Sequence, residues 1–328
     1  MMVPSRSISS SDAKRVADGK TDFVATTGGA IEGDQQTPAF RHVAPRSMPM
    51  PVLISVPHAG RAYPDTVLAQ MRDEELCRLR LEDRYVDRLG VEVARLTRSG
   101  LLVANAPRAM LDLNRAQDDV DWEMIRGAGR RVVRNGTVSR RARSGLGLIP
   151  RRLPGFGEIW RAPLEQETLD QRIETIHRPY HEFLATELER IRDEWGVALL
   201  VDLHSMPPLR PMAGEARAPE IVLGDRFGAS CHGSIVARAF RYLDQEARPC
   251  AHNRPYSGGY VLDRHAAPSK GIHALQVEVC RSAYLDSRLD QPITDLAPLS
   301  RLLAGLVREL GAEAARLGTG EELPQAAE

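Results

Sequence analysis

The chain is poor in cysteine, in aromatic residues and in lysine, and it carries no surplus charge of either sign. Its four cysteines (Cys77, Cys231, Cys250, Cys280) lie far apart, with no C-x-x-C pair. That spacing excludes a zinc ribbon or a dithiol redox motif, and four cysteines are too few for a disulfide scaffold in 328 residues. No apolar run approaches the roughly 18 residues that a membrane span needs. The opening segment MMVPSRSISSSDAKRVADGK lacks the apolar stretch of a secretory signal, so a reducing cytoplasm is the expected compartment. Lys+Arg and Asp+Glu number 44 each, and the formal net charge is zero. A neutral balance argues against a nucleic-acid footprint over the whole surface. With 42% hydrophobic and 27% charged residues, the composition is that of a globular protein.

What the chain does have is arginine. Of its 44 cations, 41 are Arg and three are Lys (Lys14, Lys20, Lys270). GC-rich coding accounts for most of such a bias. A functional remainder would bind carboxylates, because the planar guanidinium matches them as an ammonium cannot.

Residues 1–37 are rich in Ser, Gly, Thr, Asp and Gln and read as a disordered extension. Residues 38–318 read as one catalytic domain, and 319–328 as a flexible tail. Apolar, β-branched runs predict strands at 51–56, 101–105, 110–114, 197–205, 220–225, 259–263 and 273–279. Helical spacing predicts helices near 65–79, 82–98, 164–195 (with Pro179 as a break or kink), 234–247 and 296–317. Residues 124–152 read as a Gly- and Arg-rich loop. Strands alternating with helices indicate an α/β sheet covered on both faces, with ligands at the strand C-termini.

Two histidines end two buried strands: His58 in VPHAG and His204 in VDLHS. Meeting at one rim of the sheet, they suit a catalytic zinc, which takes three protein ligands and keeps one open position. The ordinary alternative is that each caps its strand. Asp83 and Asp202 are both candidates for the third ligand. Asp202 shares a face with His204 and can equally orient a ligand from behind. Asp83 can equally serve a helix N-terminus. Glu278, inside the apolar strand HALQVEV, is costly unless paired or working. Beside a metal it suits a general base that deprotonates water and later protonates a leaving amine. Its alternative is an ion pair with an arginine such as Arg281. In PRAMLDLNR, Arg108 and Arg115 flank an apolar segment, Asn114 and Arg115 form an adjacent donor pair for a carboxylate, and Asp112 can hold one Arg in place. The stretch 126–152 has nine Arg and no acid, without the interleaved aromatics of a nucleic-acid surface. It reads as a loop over an anionic pocket.

SVPHAG, DRYVDRL, DLNR, SGLGLIP, HRPYH, DLHSMP, IVLGD, PYSGGY and HALQVEV occur in that order over residues 38–290. Together they resemble the N-formylglutamate amidohydrolase family. The resemblance implies a three-layer α/β/α sandwich on a mixed, mostly parallel sheet, similar to the zinc-dependent exopeptidases (phosphorylase/hydrolase-like fold). It implies one zinc ion, or another divalent metal, on His58, His204 and an acid at Asp83. It also implies Glu278 as general base, Asn114 and Arg115 on a substrate carboxylate, and Arg108 on the scissile carbonyl or a second carboxylate. Ser205 and Tyr256 would line the pocket. The implied reaction is hydrolysis of N-formyl-L-glutamate to glutamate and formate, as in histidine breakdown, by a monomer or homodimer with a small acidic substrate and neither nucleic acid nor membrane as partner. Other readings are a same-fold hydrolase of another N-acyl, γ-glutamyl or peptide substrate, a non-catalytic sensor of an acidic metabolite, and an Arg-rich RNA-binding module. The chain departs from the family pattern at Arg84, where an aromatic is usual, and in VLDRHAAP, where Thr-Arg-His-Tyr is more usual. Both bear on the substrate rather than the chemistry.

Overall fold

The computed structural model describes residues 22–34, 36–127, 140–211 and 217–320. Eight strands form one mixed sheet: β1 Phe23–Gly28, β2 Phe40–Pro45, β3 Val52–Val56, β4 Gly100–Ala104, β5 Ala198–Met206, β6 Ile221–Gly224, β7 Cys250–His252 and β8 Ile272–Cys280. Their spatial order is β1-β2-β4-β3-β5-β8-β6-β7. The central strands β4, β3, β5 and β8 run parallel, while β2 and β6 are antiparallel to their inner neighbours. Every residue of β3, β4, β5, β6 and β8 is buried, which explains their continuous apolar runs.

The main helices are α1 Glu74–Leu81, α2 Val86–Thr97, α3 (Gln166–Arg172, Ile173–His177 and Arg178–Trp195 in succession), α4 Gly233–Gln245, α5 Tyr260–His265 and α6 Ala297–Gly318. Asp73 caps α1 by accepting from Leu76 N–H. In α2, Val86, Leu89, Val93 and Ala94 form a buried stripe at helical spacing. This stripe packs with α4 and α6 over Ile54, Val56, Val201 and Leu203 on one face of the sheet. On the other face, Tyr180, Leu184, Leu188 and Ile191 of α3 cover Leu53, Leu200 and Ala274. The expected three-layer α/β/α arrangement is therefore present. Among the described residues, no helix is long and apolar enough to cross a membrane.

Several sequence expectations need correction. Residues 23–28, assigned to the disordered extension, form edge strand β1 on β2. Neither face of this strand is buried, so FVATTG carries no apolar period, although Val24, Thr26 and Thr27 suit a strand. Residues 1–21 and 321–328 lie outside the described residues. Met110–Asn114 is not a strand. Its backbone turns through Met110 N–H to Pro107 O and Arg115 N–H to Asp112 O, while Met110, Leu111 and Leu113 point into the core. Residues 260–265 form helix α5, begun where Asn114 Oδ1 accepts from Val261 N–H. The helix expected at 65–79 is two pieces, Asp65–Leu68 and α1. Pro179 does not break α3. That helix runs as Gln166–Arg172, a π-helical turn Ile173–His177 and Arg178–Trp195, and it widens just before the proline. Within the expected loop 124–152, residues 128–139 lie outside the described residues. The remainder holds strand pieces at Ile125–Arg126 and Arg152–Leu153 and a one-turn helix at Arg140–Arg143.

The turn after β3 depends on Gly60. A Cβ there would lie 2.0 Å from the carbonyl oxygen of Ala106. Gly60→Ala should therefore cost about 1–3 kcal/mol of stability, the scale of core overpacking. Urea unfolding is expected to show a lower midpoint at unchanged slope. An unchanged midpoint would mean that the turn relaxes freely.

Candidate active site

Period-two alternation puts Asp202 and His204 of β5 on the same sheet face as Gln276 and Glu278 of β8. Register pairs Gln276 with Asp202 and Glu278 with His204. His58 follows β3 in the neighbouring strand. Asp83 lies between α1 and α2, and its N–H donates to His58 O at 2.9 Å. His58, Asp83 and His204 are all buried, and each offers a ligand atom within 4.8 Å of the others.

The chemistry of these three groups fits a metal. His58 Nε2–H donates to Asp112 Oδ1 at 2.7 Å, and His204 Nε2–H donates to Asp202 Oδ2 at 2.8 Å. Ser55 Oγ–H donates in turn to Asp202 Oδ1. Each carboxylate fixes a tautomer and leaves Nδ1 facing Asp83. His204 Nδ1 stands 3.0 Å, and His58 Nδ1 3.6 Å, from Asp83 Oδ2. Burial alone would raise the Asp83 carboxyl, but the two imidazoles hold it well below the usual range. Burial would lower His204, but Asp202 and then Asp83 hold it well above its ordinary value. A positive charge is favoured among these three atoms, and two imidazole nitrogens with one carboxylate oxygen form a donor set that suits zinc. Asp202, the other candidate for third ligand, stands behind His204 as its orienting partner.

The three groups open into a cavity of about 240 Å³, lined also by Glu278, Gln276, Arg108, Asn114, Arg115, Ser205, Tyr256 and Arg281. The cavity thus gathers His58, Asp83, Arg108, Asn114, Arg115, His204, Ser205, Tyr256 and Glu278, with Arg281, while Asp112 and Asp202 stand behind His58 and His204. Glu278 is buried and accepts from Gln276 Nε2–H at 2.9 Å. Burial raises its carboxyl to about 7, against the pull of His204. Arg281, the alternative partner for Glu278, is engaged elsewhere. It donates to Asp83 Oδ1, Ser205 Oγ and the carbonyls of Leu79 and Glu82. Asp112 also receives Arg108 Nε–H at 2.9 Å and Asn114 N–H at 2.8 Å. One carboxylate thereby links His58 to the DLNR segment. Burial would raise Asp112, but Arg108 and His58 keep it well below the usual range. Gly259 allows close approach here, since a Cβ on it would lie 2.5 Å from Asn114 Oδ1.

Sequence reading missed the wall behind Asn114 and Arg115. His177 Nε2–H donates to Arg115 O at 2.9 Å, and His181 Nε2–H donates to Leu113 O at 3.0 Å. His181 Nδ1 accepts from His265 Nε2–H at 2.9 Å. Burial depresses all three imidazoles, His177 to about 4 and His265 to about 3. The one available signal was the four-residue spacing of HRPYH on a helix. The Arg-rich stretch also finds acids that its own sequence lacks. Arg126 pairs with Glu165, and Arg151 pairs with Asp121, Glu123 and Glu158. Arg141 lines the cavity.

Comparisons with known proteins show which family the chain belongs to. Residues 50–285 match the family profile described as N-formylglutamate amidohydrolase. A protein named N-formylglutamate deformylase from Pseudomonas putida is 33% identical over 270 residues, 80% of this chain and 92% of its own length. One of the same name from Pseudomonas aeruginosa is 30% identical over 266 residues, 80% of this chain and 91% of its own. The crystal structure of N-formylglutamate amidohydrolase from Ralstonia eutropha JMP134 superposes with a TM-score of 0.74 at 27% identity, over 86% of this chain and 99% of that one.

Asp112→Asn removes the acceptor that orients His58. Metal affinity, measured by competition with a chelator, should fall about 10–100-fold, as for other partners of metal-ligating histidines. Wild-type affinity would show that His58 is oriented without Asp112.

Proposed function

The chain belongs to the N-formylglutamate amidohydrolase family of hydrolases, and from that premise we propose that it cleaves the amide C–N bond of N-formyl-L-glutamate or a close N-acyl amino acid. The observation that carries this reading is the single cavity shared by a His-Asp-His group, a buried glutamate and an Asn-Arg pair.

His58, Asp83 and His204 would hold one divalent ion, zinc by their donor set. Such an ion supplies Lewis acidity toward the acyl oxygen and toward water. Glu278 removes a proton from the attacking water as the new C–O bond forms. It then passes that proton to the amide nitrogen, so that formate and a free amine leave when the C–N bond breaks. A carboxyl raised to about 7 is suited to both transfers, because it is half ionised near neutrality. Arg108, held by Asp112, faces the same cavity and supports charge on the acyl oxygen. Asn114 and Arg115 take the α-carboxylate and fix the amide against Glu278. Ser205 and Tyr256 complete the lining. Arg281 holds Asp83 from the side away from the imidazoles.

The direct test is release of the free amino acid by the metal-loaded protein from a panel of N-formyl and N-acetyl amino acids. Preference for N-formyl-L-glutamate is expected, and no release from any member would sink the reading. Glu278→Gln should keep its metal and lose roughly 10²–10⁴-fold in kcat. Near wild-type turnover would remove Glu278 from the mechanism.

The pH dependence has a definite sign. Glu278 works as a base only when ionised, so kcat/KM should fall on the acid side. A bound cation lowers its carboxyl further, placing that limb at or below about 7. Loss of activity on raising the pH through 7, with a flat acid side, would contradict it.

A further inference from the structure

Five guanidiniums line the cavity: Arg80, Arg108, Arg115, Arg141 and Arg281. Three are held by the protein. Arg108 is paired with Asp112, and Arg281 with Asp83. Arg115 spends Nε–H on Leu146 O and Nη1–H on Asn114 O, and its ion-pair partner Asp119 stands 3.9 Å away. Arg80 and Arg141 make no ion pair and no side-chain hydrogen bond among the described residues.

Arg141 differs from Arg80 in its surroundings. Its one-turn helix Arg140–Arg143 ends at Gly145, with φ +84°, where Leu146 N–H returns to Arg141 O at 2.9 Å. The segment that follows is tied to the Asn114–Arg115 region. Asp112 N–H donates to Leu148 O at 2.7 Å, Leu148 N–H donates to Asp119 O at 2.6 Å, and Arg115 Nε–H reaches Leu146 O at 3.0 Å. Ala142 is fully buried in this junction. The backbone of Arg141 is therefore held near the Asn114–Arg115 region, and its exposed side chain lines the same cavity as Arg115, close enough for the two charges to repel. Two adjacent cations, neither closely neutralised by the protein, lower their energy by sharing an anion.

Resting on the amidohydrolase reading above, we propose that Arg141, with Arg115, forms the subsite for the second carboxylate of the substrate. Asn114 and Arg115 take the first carboxylate, and the Arg141 guanidinium, without an ion pair among the described residues, lines the same cavity. Arg141 is then a specificity-determining residue that selects a dicarboxylic N-acyl amino acid over its neutral side-chain amide. That amide is nearly the same shape but leaves the cation unanswered, so discrimination falls on charge rather than size.

The test compares metal-loaded wild type with Arg141→Gln and Arg80→Gln. Binding of L-glutamate and L-glutamine is measured by calorimetry, and kcat/KM is measured for N-formyl-L-glutamate and N-formyl-L-glutamine. In Arg141→Gln the Glu/Gln ratio should fall about tenfold or more in both measurements, mainly through KM, the scale of one lost charge-assisted hydrogen bond. Arg80→Gln should shift the ratio by less than about threefold, because nothing fixes Arg80 beside Arg115. A ratio unchanged in Arg141→Gln, or a larger loss in Arg80→Gln, overturns the proposal. If wild type hydrolyses neither substrate, the functional reading fails, and the glutamate/glutamine binding ratio still decides the subsite.

Discussion

Much of this site depends on one buried carboxylate. Asp112 is 1% exposed, and an isolated carboxylate at that depth would take up a proton rather than remain charged. It stays ionised because four donors converge on it: His58 Nε2–H, the Nε and Nη2 of Arg108, and Asn114 N–H. The same contacts settle three other questions. They set the tautomer of a histidine that could ligate a metal, aim a guanidinium into the cavity, and turn the backbone so that Asn114 and Arg115 face inward. The metal end and the carboxylate end of the cavity are therefore built on one group. Strain or loss at Asp112 would reach both.

Around that anchor, environment separates acids that composition cannot tell apart. Asp83 and Asp112 are each met by cations or imidazoles and remain ionised well below the usual range. Glu278, also buried, on β8 beside His204, has a single amide donor and no ion pair among the described residues, and its carboxyl rises to about 7. In the proposed mechanism, fixed charge thus collects where the metal would be held, and a labile proton sits on the group that would move it. Opposite the acids, the guanidiniums divide in the same way. Arg108 and Arg281 are bound by protein carboxylates, whereas Arg115 and Arg141 face the cavity with charge to spare.

Much of this was legible in the chain, for identifiable reasons. Strands buried on both faces write themselves as apolar runs, so β3, β5 and β8 were found, and with them His58, His204 and Glu278 at their polar ends. Edge strand β1 was not, because neither of its faces is buried and it needs no apolar face. The DLNR segment was misread as a strand because its apolar residues point into the core from a turn, and burial alone does not reveal backbone direction. Asp202 could not be separated from Asp83 by period alone, since a same-face acid fits a ligand or its support equally well. Only the direction of the His204 ring, with Nε2 on Asp202 and Nδ1 on Asp83, decides between them. Arg141 was one of nine in an acid-free stretch. Its difference from Arg126 and Arg151 lies in partners that are remote in sequence.

The histidine wall behind the cavity completes this division of charge. The carbonyls of Leu113 and Arg115 need donors, and a lysine or arginine would supply them readily. Either would bring a further cation to a region where Arg108, Arg115 and Arg141 already repel one another. A neutral imidazole donates one proton and adds no charge. Burial keeps His177, His181 and His265 in that neutral form, while the chain from His265 to His181 to Leu113 O passes donors in one direction. The π-helical turn at Ile173–His177 ends where His177 meets Arg115 O, and His181 follows on the adjoining helical segment. Neutral donors thus hold the back of the DLNR segment without placing a cation on its carbonyls. An anionic substrate meets the full field of the guanidiniums, held in place by groups that neither weaken it nor add to its repulsion.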